Sequence, residues 1–139
     1  MPLYRISDRY PDYKQRYFDG QDLKGLPAYS ADNEKAGYVT DILIDDADAI
    51  AYLILSVGSG LATWFGERRK VALPADYYAH NRAENRISIR HLSKDRIKAL
   101  LKYESNQGLD EVYERALSQQ KQTLDEQVDS KTLVGAVSR

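Results

Sequence analysis

A set of closely spaced carboxylates comes nearest to a recognisable chemical motif. Asp41, Asp45, Asp46 and Asp48 fall within eight consecutive positions, and oxygen ligands at such spacing are typical of calcium loops. The EF-hand pattern also needs a central glycine and a terminal glutamate, and this stretch has neither. We therefore interpret the acids as the solvated turn of a hairpin, since aspartate tolerates the left-handed backbone that turns require. No metal site is predicted.

Histidine, serine and threonine form no catalytic arrangement in the sequence. The chain has two histidines, His80 and His91, and no cysteine, whereas a zinc site needs more nitrogen or sulfur ligands than these. Ser56, Ser59 and Thr63 could act as nucleophiles only beside a base, and no spacing places a base there. The sequence therefore predicts no enzyme activity and no cofactor.

The best candidate for binding is an aromatic stretch bounded by Gly58 and Gly66, in which Trp64 is the sole tryptophan. Either its rings fold back to fill a thin core, or they project as an anchor for a protein partner, because tryptophan is common among hot-spot residues. The arginines that follow would favour anionic headgroups if the loop inserted into a membrane surface. The predicted partner-binding residues are Leu61, Trp64, Phe65, Arg68 and Arg69.

A strip of cations raises the alternative of RNA binding. Arg68, Arg69 and Lys70 combine in sequence with Arg86, Arg90 and Lys94. Basic strips interleaved with aromatic rings suit single-stranded RNA. The formal net charge of −1 and the absence of a recognition-motif signature argue against this interpretation. Nucleic acid is therefore disfavoured, and RNA or ribosome binding is kept as an alternative.

Short strand-like runs separated by turns predict a small, mainly β domain. Residues 37–45 and 50–57 are apolar runs on either side of the acidic turn, which indicates a hairpin. Residues 25–30, 67–73 and 86–90 are predicted as further strands, the last with clean alternation of apolar and polar side chains. This spacing is typical of a sandwich or a barrel.

Two helices are predicted after the strands. Ser93 is a good N-cap for a helix over residues 94–103, and a second helix is expected over residues 110–122. Because a short amphipathic helix must bury its apolar stripe, we predict self-association through the second helix. The predicted self-association residues are Leu109, Val112, Tyr113 and Leu117. Residues 123–139 carry no pattern and are expected to fray.

The composition is that of an ordinary globular domain, with 42% hydrophobic and 29% charged residues. No apolar run reaches the length of a membrane span, and the N-terminus has no signal-peptide core. We therefore expect a cytoplasmic protein. Eleven tyrosines, four of them within residues 1–20, predict an aromatic N-terminal arm laid over the domain.

Six pieces of the sequence follow one another in a distinctive order: Leu23–Gly25, Ala28–Ser30, Glu34–Asp45, Tyr52–Gly58, Trp64–Gly66 and Lys70–Pro74. In this order they resemble the PRC-barrel domain, over about residues 21–92. That small β-barrel occurs in the cytoplasmic part of the photosynthetic reaction-centre H subunit and in the C-terminal half of a ribosome-maturation factor. The arm is similar to that of stand-alone PRC-barrel proteins of photosynthetic bacteria, especially cyanobacteria.

The resemblance implies a small six-stranded, antiparallel β-barrel with an N-terminal arm and a C-terminal helical extension. It places turns at Gly25, Gly37 and Gly58 and core side chains at Ile42, Ile44, Leu53, Ile54 and Leu73. The expected organisation is an arm over 1–20, a barrel over 21–92, a helical extension over 93–122 and a flexible tail over 123–139.

The resemblance also implies a role in docking or assembly without catalysis. The chain lacks the membrane helix of the H subunit and the RNA-protein-interacting domain of the ribosome factor, so neither specific function transfers directly. We predict a non-catalytic protein-interaction module linked to photosynthetic complexes, at the periphery of a photosynthetic membrane. A protein partner, a homodimer and a peripheral membrane contact are the interactions to test.

Overall fold

The computed structural model describes residues 2–58, 69–104 and 109–137, with residues 129–137 as backbone alone. Within these ranges the chain is mainly β and ends in a helix. The strands are β1 (Tyr4–Arg5), β2 (Pro27–Tyr29), β3 (Lys35–Ile44), β4 (Ile50–Val57), β5 (Arg69–Pro74), β6 (Tyr78–Asn81) and β7 (Arg86–Ile89). The helices are α1 (Ile6–Arg9), α2 (Tyr13–Phe18), α3 (Lys94–Lys98) and α4 (Glu111–Val137), with a 3₁₀ turn at Ala75–Tyr77.

The seven strands form one mixed sheet. Six follow the order β5-β4-β3-β2-β7-β6, and β1 pairs with the end of β3. The expected six-stranded antiparallel sheet therefore needs correction, because β2 and β7 run parallel, with Ala28 opposite Ile87. A parallel pair needs a long connection, and the stretch from β3 to β6 supplies one. The strands β1 and β6 were not predicted.

The sheet curves strongly because its two outermost strands are consecutive in the chain. Six strands laid flat would span about 24 Å at a spacing of about 4.8 Å. The three residues Ala75–Tyr77 that link β5 to β6 reach across at most about 14 Å. The end of β5 and the start of β6 therefore approach each other. No hydrogen-bonded pairing between these two strands closes the sheet in the described ranges.

Strands β3 and β4 bury both of their faces. Ile42, Ile44 and Leu53 belong to the larger core cluster, whereas Leu43 and Ile54 belong to a second cluster. The second face is covered by α4, because the second cluster also contains side chains of that helix.

Helix α4 covers this second face of the sheet. Tyr113 and Leu117 pack into the second cluster, and Leu124 reaches the larger one. Because α4 runs to Val137, the predicted helix end at residue 122 is wrong, whereas the fraying of residues 123–139 stays a prediction. The apolar residues beyond residue 122 are sparse, but Leu124 and Val128 continue the helical spacing and pack on the core.

The outer edge of β5 is paired with the segment that follows α3. The Ala72 N–H donates to the Leu101 carbonyl (3.1 Å), and the Tyr103 N–H donates to the Lys70 carbonyl (2.8 Å). These hydrogen bonds pair a sheet edge that would otherwise be open. Because residues 101–103 bond to β5, α3 ends at Lys98 and not at the predicted residue 103. The predicted N-cap is confirmed, because the Ser93 hydroxyl accepts the Arg96 N–H (3.3 Å).

Two of the glycines placed at turns by the resemblance behave differently. Gly25 has a φ of 91°, as a turn glycine can. Gly37 lies inside β3 and is required for close packing. A Cβ at position 37 would lie 2.0 Å from the Ser56 carbonyl oxygen, so the two backbones approach too closely for any other residue.

The N-terminal arm is held against the β3–β4 turn by tyrosine hydroxyls. The Tyr10 hydroxyl donates to Asp48 Oδ2 (2.7 Å), and the Tyr17 hydroxyl donates to the Asp48 carbonyl (2.8 Å). The arm contains the two short helices α1 and α2. The acidic turn therefore anchors the arm.

Candidate functional site

A groove of about 530 Å³ lies where the first turns of α4 pass the beginning of β4 and the 3₁₀ turn. Sites that bind small molecules in proteins commonly have volumes of roughly 300–1,000 Å³. The walls come from parts of the chain that are far apart in sequence: the N-terminus, the β3–β4 turn, β4, the 3₁₀ turn and α4.

The floor of the groove is apolar. Its residues are the first three of β4, namely Ile50, Ala51 and Tyr52, with Leu3 and Ala75 beside them. Tyr52 is 7% exposed, and burial raises the pKa of its hydroxyl. Ile50 and Ala51 are only half-buried. An apolar strip is therefore left open to solvent at the start of β4.

Two half-buried carboxylates line the groove without forming an ion pair in the described part of the chain. Asp45 Oδ1 accepts the N–H groups of Ala47 (2.9 Å) and Ala49 (3.1 Å). Glu114 Oε2 accepts the N–H of Leu3 (3.2 Å). Each carboxylate is therefore held in place by the backbone while its charge is not neutralised by a neighbouring cation.

The cations of the groove already have acidic partners. Lys121 Nζ lies 3.1 Å from Asp76 Oδ2 and 3.1 Å from Asp125 Oδ2, and its hydrogen bonds to these two carboxylates raise the pKa of Lys121. Arg115 Nη2 lies 3.3 Å from Glu111 Oε1. The surplus charge of the groove is therefore that of the two unpaired carboxylates.

A hydrogen bond from Tyr77 to Asp125 ties α4 to the 3₁₀ turn beside the groove. The Tyr77 hydroxyl donates to Asp125 Oδ1 (2.6 Å). This bond and the contact with Lys121 hold the pKa of Asp125 below its ordinary value of 3.8. A carboxylate whose pKa is lower in the folded than in the unfolded protein stabilises the fold at pH values above the pKa of the unfolded state. This stabilisation is lost as the pH falls through the pKa of the folded state.

We therefore expect Asp125→Asn to be less stable than the wild type near neutral pH, because the amide keeps a hydrogen-bonding group but loses the charge. The difference in free energy of unfolding should shrink as pH falls below about 4, where the unfolded carboxyl protonates. Urea unfolding at a series of pH values measures it, with Glu126→Gln, an exposed neighbour on α4, as the control. A difference that stays constant down to the lowest pH would contradict this role for Asp125.

Most of the predicted partner-binding residues lie outside the described residues. These are Leu61, Trp64, Phe65 and Arg68. Arg69 is described: it is exposed, and its Nη2 donates to the Leu100 carbonyl (3.1 Å). This arginine therefore helps to hold the segment that covers the edge of β5. Partner binding through the aromatic stretch stays a prediction.

The four predicted self-association residues have different environments. Tyr113 and Leu117 are 6% and 0% exposed, and Leu109 packs against the same second cluster. The Tyr113 hydroxyl donates to the Lys102 carbonyl (3.0 Å), and burial raises its pKa. Val112 is 73% exposed. Most of the stripe is thus buried within one chain, and self-association through it stays a prediction in which Val112 is the accessible residue.

The catalytic and metal candidates lie apart. His80 is in β6, where burial and then Arg82 lower its pKa, whereas His91 is exposed. Ser56 is buried in β4 at 7% exposure. Among the residues that the structure describes, no three His, Cys, Asp or Glu side chains are grouped to hold a metal. In the same ranges, no helix has the length and apolar character to cross a membrane.

The arginines of the predicted RNA strip make contacts within the chain. Arg86 Nε lies 3.0 Å from Glu84 Oε2, and its guanidinium stacks over the Tyr29 ring at 4.3 Å from the centroid. Arg90 donates to the carbonyl of Asp76 (3.0 Å). These guanidinium groups support the turns around β6 and β7, and RNA binding through them stays a prediction.

The groove was not predicted from the sequence. Asp45 belongs to a stretch interpreted as a solvated turn, and Glu114 is a polar residue of a helix in which only the apolar residues gave a pattern. No short motif joins these two residues, because they are nearly seventy positions apart in the sequence and only the fold brings them to one groove. The only signal was the excess of acids around residues 41–48.

Comparison with known proteins agrees with the resemblance seen in the sequence. The chain matches the PRC-barrel domain over residues 16–99, which is more than half of its 139 residues. The matched region includes the strands β2 to β7 and α3, whereas α4, which forms one wall of the groove, follows it. A comparison with curated proteins found no match. The chain belongs to the PRC-barrel domain family.

Proposed function

We propose that the chain is a non-catalytic protein-docking module and that the groove beside α4 is its docking surface. PRC-barrel domains are generally non-catalytic. The observation that carries the proposal is the combination of an open apolar floor with the unpaired, half-buried carboxylates of Asp45 and Glu114. Because a partly desolvated charge is costly to leave without a partner, a cation brought by another molecule stabilises the groove.

The partner that fits is a protein segment with apolar side chains next to a lysine or arginine. Its apolar side chains would cover Ile50 and Ala51, and burial of that area supplies affinity. Its cation would hydrogen-bond the carboxylates, and such charge-assisted bonds are roughly twice as strong as neutral ones. Charge complementarity also selects the partner and sets the binding register.

The proposal also includes the architecture of the sheet and the cellular setting of the docking module. The three-residue link between β5 and β6 supports a barrel, in which the curved sheet wraps around the larger core cluster. The resemblance to the cytoplasmic part of the photosynthetic reaction-centre H subunit supports the assembly of photosynthetic complexes, at the cytoplasmic side of their membrane, as the setting in which the module docks.

Photocrosslinking from the groove in native cells tests the docking surface. Ser118 lines the groove, and Gln119 is the next residue of α4 without being part of the lining. Both are exposed. A photoreactive phenylalanine analogue at position 118 is expected to give covalent adducts with defined proteins, whereas the same group at position 119 gives few or none.

A charge substitution sharpens this test. Glu114→Gln keeps an acceptor for the Leu3 N–H but removes the unpaired charge. About tenfold more of the partner protein should then be needed to give the same yield of adducts at position 118. Glu126→Gln is the matched control, because it removes the same charge from an exposed residue of α4 that does not line the groove. Equal adducts at positions 118 and 119 would overturn the groove as the docking surface. Adducts with RNA or lipid at both positions would favour the RNA or membrane alternative instead.

A further inference from the structure

The chain itself carries a segment with the chemistry that the groove requires. Its apolar part contains Leu61, Trp64 and Phe65, and residues 67–70 contain three cations and one acid. Residues 59–68 lie outside the described residues, so this match is one of side-chain chemistry. Apolar residues followed by a net positive charge complement an apolar floor beside two unpaired carboxylates.

The groove lies at one end of β4, and the described residues that flank this segment, Val57 and Arg69, lie at the other. Ile50 in the floor and Val57 are therefore separated by the length of β4, about 23 Å. Trp64 is seven residues from Val57 and five from Arg69. It could reach the groove of its own chain only if both connections ran fully extended back along the hairpin. A second copy can present the same residues without that constraint.

On the basis of the docking role proposed above, we infer that the groove of one copy binds residues 61–70 of a second copy. The two surfaces are different, so the contact is head-to-tail, and repeated contacts of this kind produce rings or linear chains of molecules. This arrangement differs from a homodimer through the apolar stripe of α4. In this contact the aromatic stretch supplies apolar side chains and cations, and the groove supplies an apolar floor and two unpaired carboxylates.

Mixing two variants that each lack one side of the contact tests the inference. Ser118→Arg places a cation inside the groove, where it can pair with the carboxylates of its own chain. Trp64→Ala combined with Phe65→Ala removes the aromatic side chains of the segment. By sedimentation velocity, the wild type should associate as its concentration rises, and each variant alone should remain monomeric. An equimolar mixture should form dimers and nothing larger, because only one intact groove can meet one intact segment.

Two further variants keep the test decisive. Gln119→Arg adds the same charge beside the groove and should associate like the wild type. Arg68→Glu leaves the aromatic residues in place and should weaken association at least about tenfold, which replaces the double alanine variant if that protein does not fold. A wild type that is monomeric at every concentration, or variants that associate normally, would overturn the inference.

The outcome is separable from that of the docking function. If photocrosslinks from position 118 reach other proteins while the wild type stays monomeric, the groove is a docking surface and the second copy is not its occupant. If position 118 gives no specific adduct and the wild type is monomeric, both proposals fail.

Discussion

Gly37→Ala is expected to destabilise the domain by about 3 kcal/mol or more. The added methyl carbon would lie 2.0 Å from the carbonyl oxygen and 2.9 Å from the carbonyl carbon of Ser56. Both are backbone atoms of β4, whose register with β3 runs from Gly37 opposite Val57 to Ile44 opposite Ile50. The clash can be relieved only by separating the strands that carry the centre of the sheet.

Gly25→Ala is the control for this prediction. Gly25 has a φ of 91°, but a Cβ there meets no atom within 4 Å. Its substitution therefore costs only the backbone strain of the left-handed region, about 1–2 kcal/mol. Urea unfolding followed by circular dichroism compares the two variants. Equal losses of stability would show that β3 and β4 tolerate a side chain at their closest approach.

Leu117→Ala should have the next largest effect, a loss of about 3 kcal/mol in the free energy of unfolding. Leu117 is 0% exposed and packs with Tyr52 and Ile54 in the second cluster. Truncating it leaves a cavity between α4 and the sheet that the helix can close only partly. Val112→Ala, at a side chain that is 73% exposed, should change the stability by less than about 0.5 kcal/mol.

The same pair of variants distinguishes internal packing from self-association through α4. Sedimentation velocity alongside urea unfolding reports both properties at once. If Leu117→Ala left the stability unchanged but reduced the mass of an oligomer, the apolar stripe of α4 would face a second copy rather than its own sheet. A loss of stability in Leu117→Ala without a change in mass supports the arrangement described here.

Local patterns predicted the elements that depend on near neighbours. The β3–β4 hairpin follows from two apolar runs around an acidic turn, and the alternation in residues 86–90 marks β7. The Ser93 cap needs only the backbone of its own helix. In each case the interacting groups lie within a few residues of one another, and the structure confirms these elements.

Other elements depended on contacts between distant parts of the chain. The end of α3 is set by β5, which takes the backbone groups of residues 101–103. The continuation of α4 beyond residue 122 is supported by Leu124 and Val128, which pack on the core although apolar residues are sparse in that part of the sequence. The parallel pairing of β2 with β7 joins residues nearly sixty positions apart, a distance over which periodicity carries no information.

The PRC-barrel family, the absence of cysteine and the aromatic stretch around Trp64 could be read directly from the sequence, because they depend on residue types and their order. The fold decided which residues are buried and which line a groove. Packing assigned Tyr113 and Leu117 to the interior, and it brought Asp45 and Glu114 to one groove. A side chain's burial and the charge around it are properties of its neighbours in space, and these neighbours are set by the path of the whole chain.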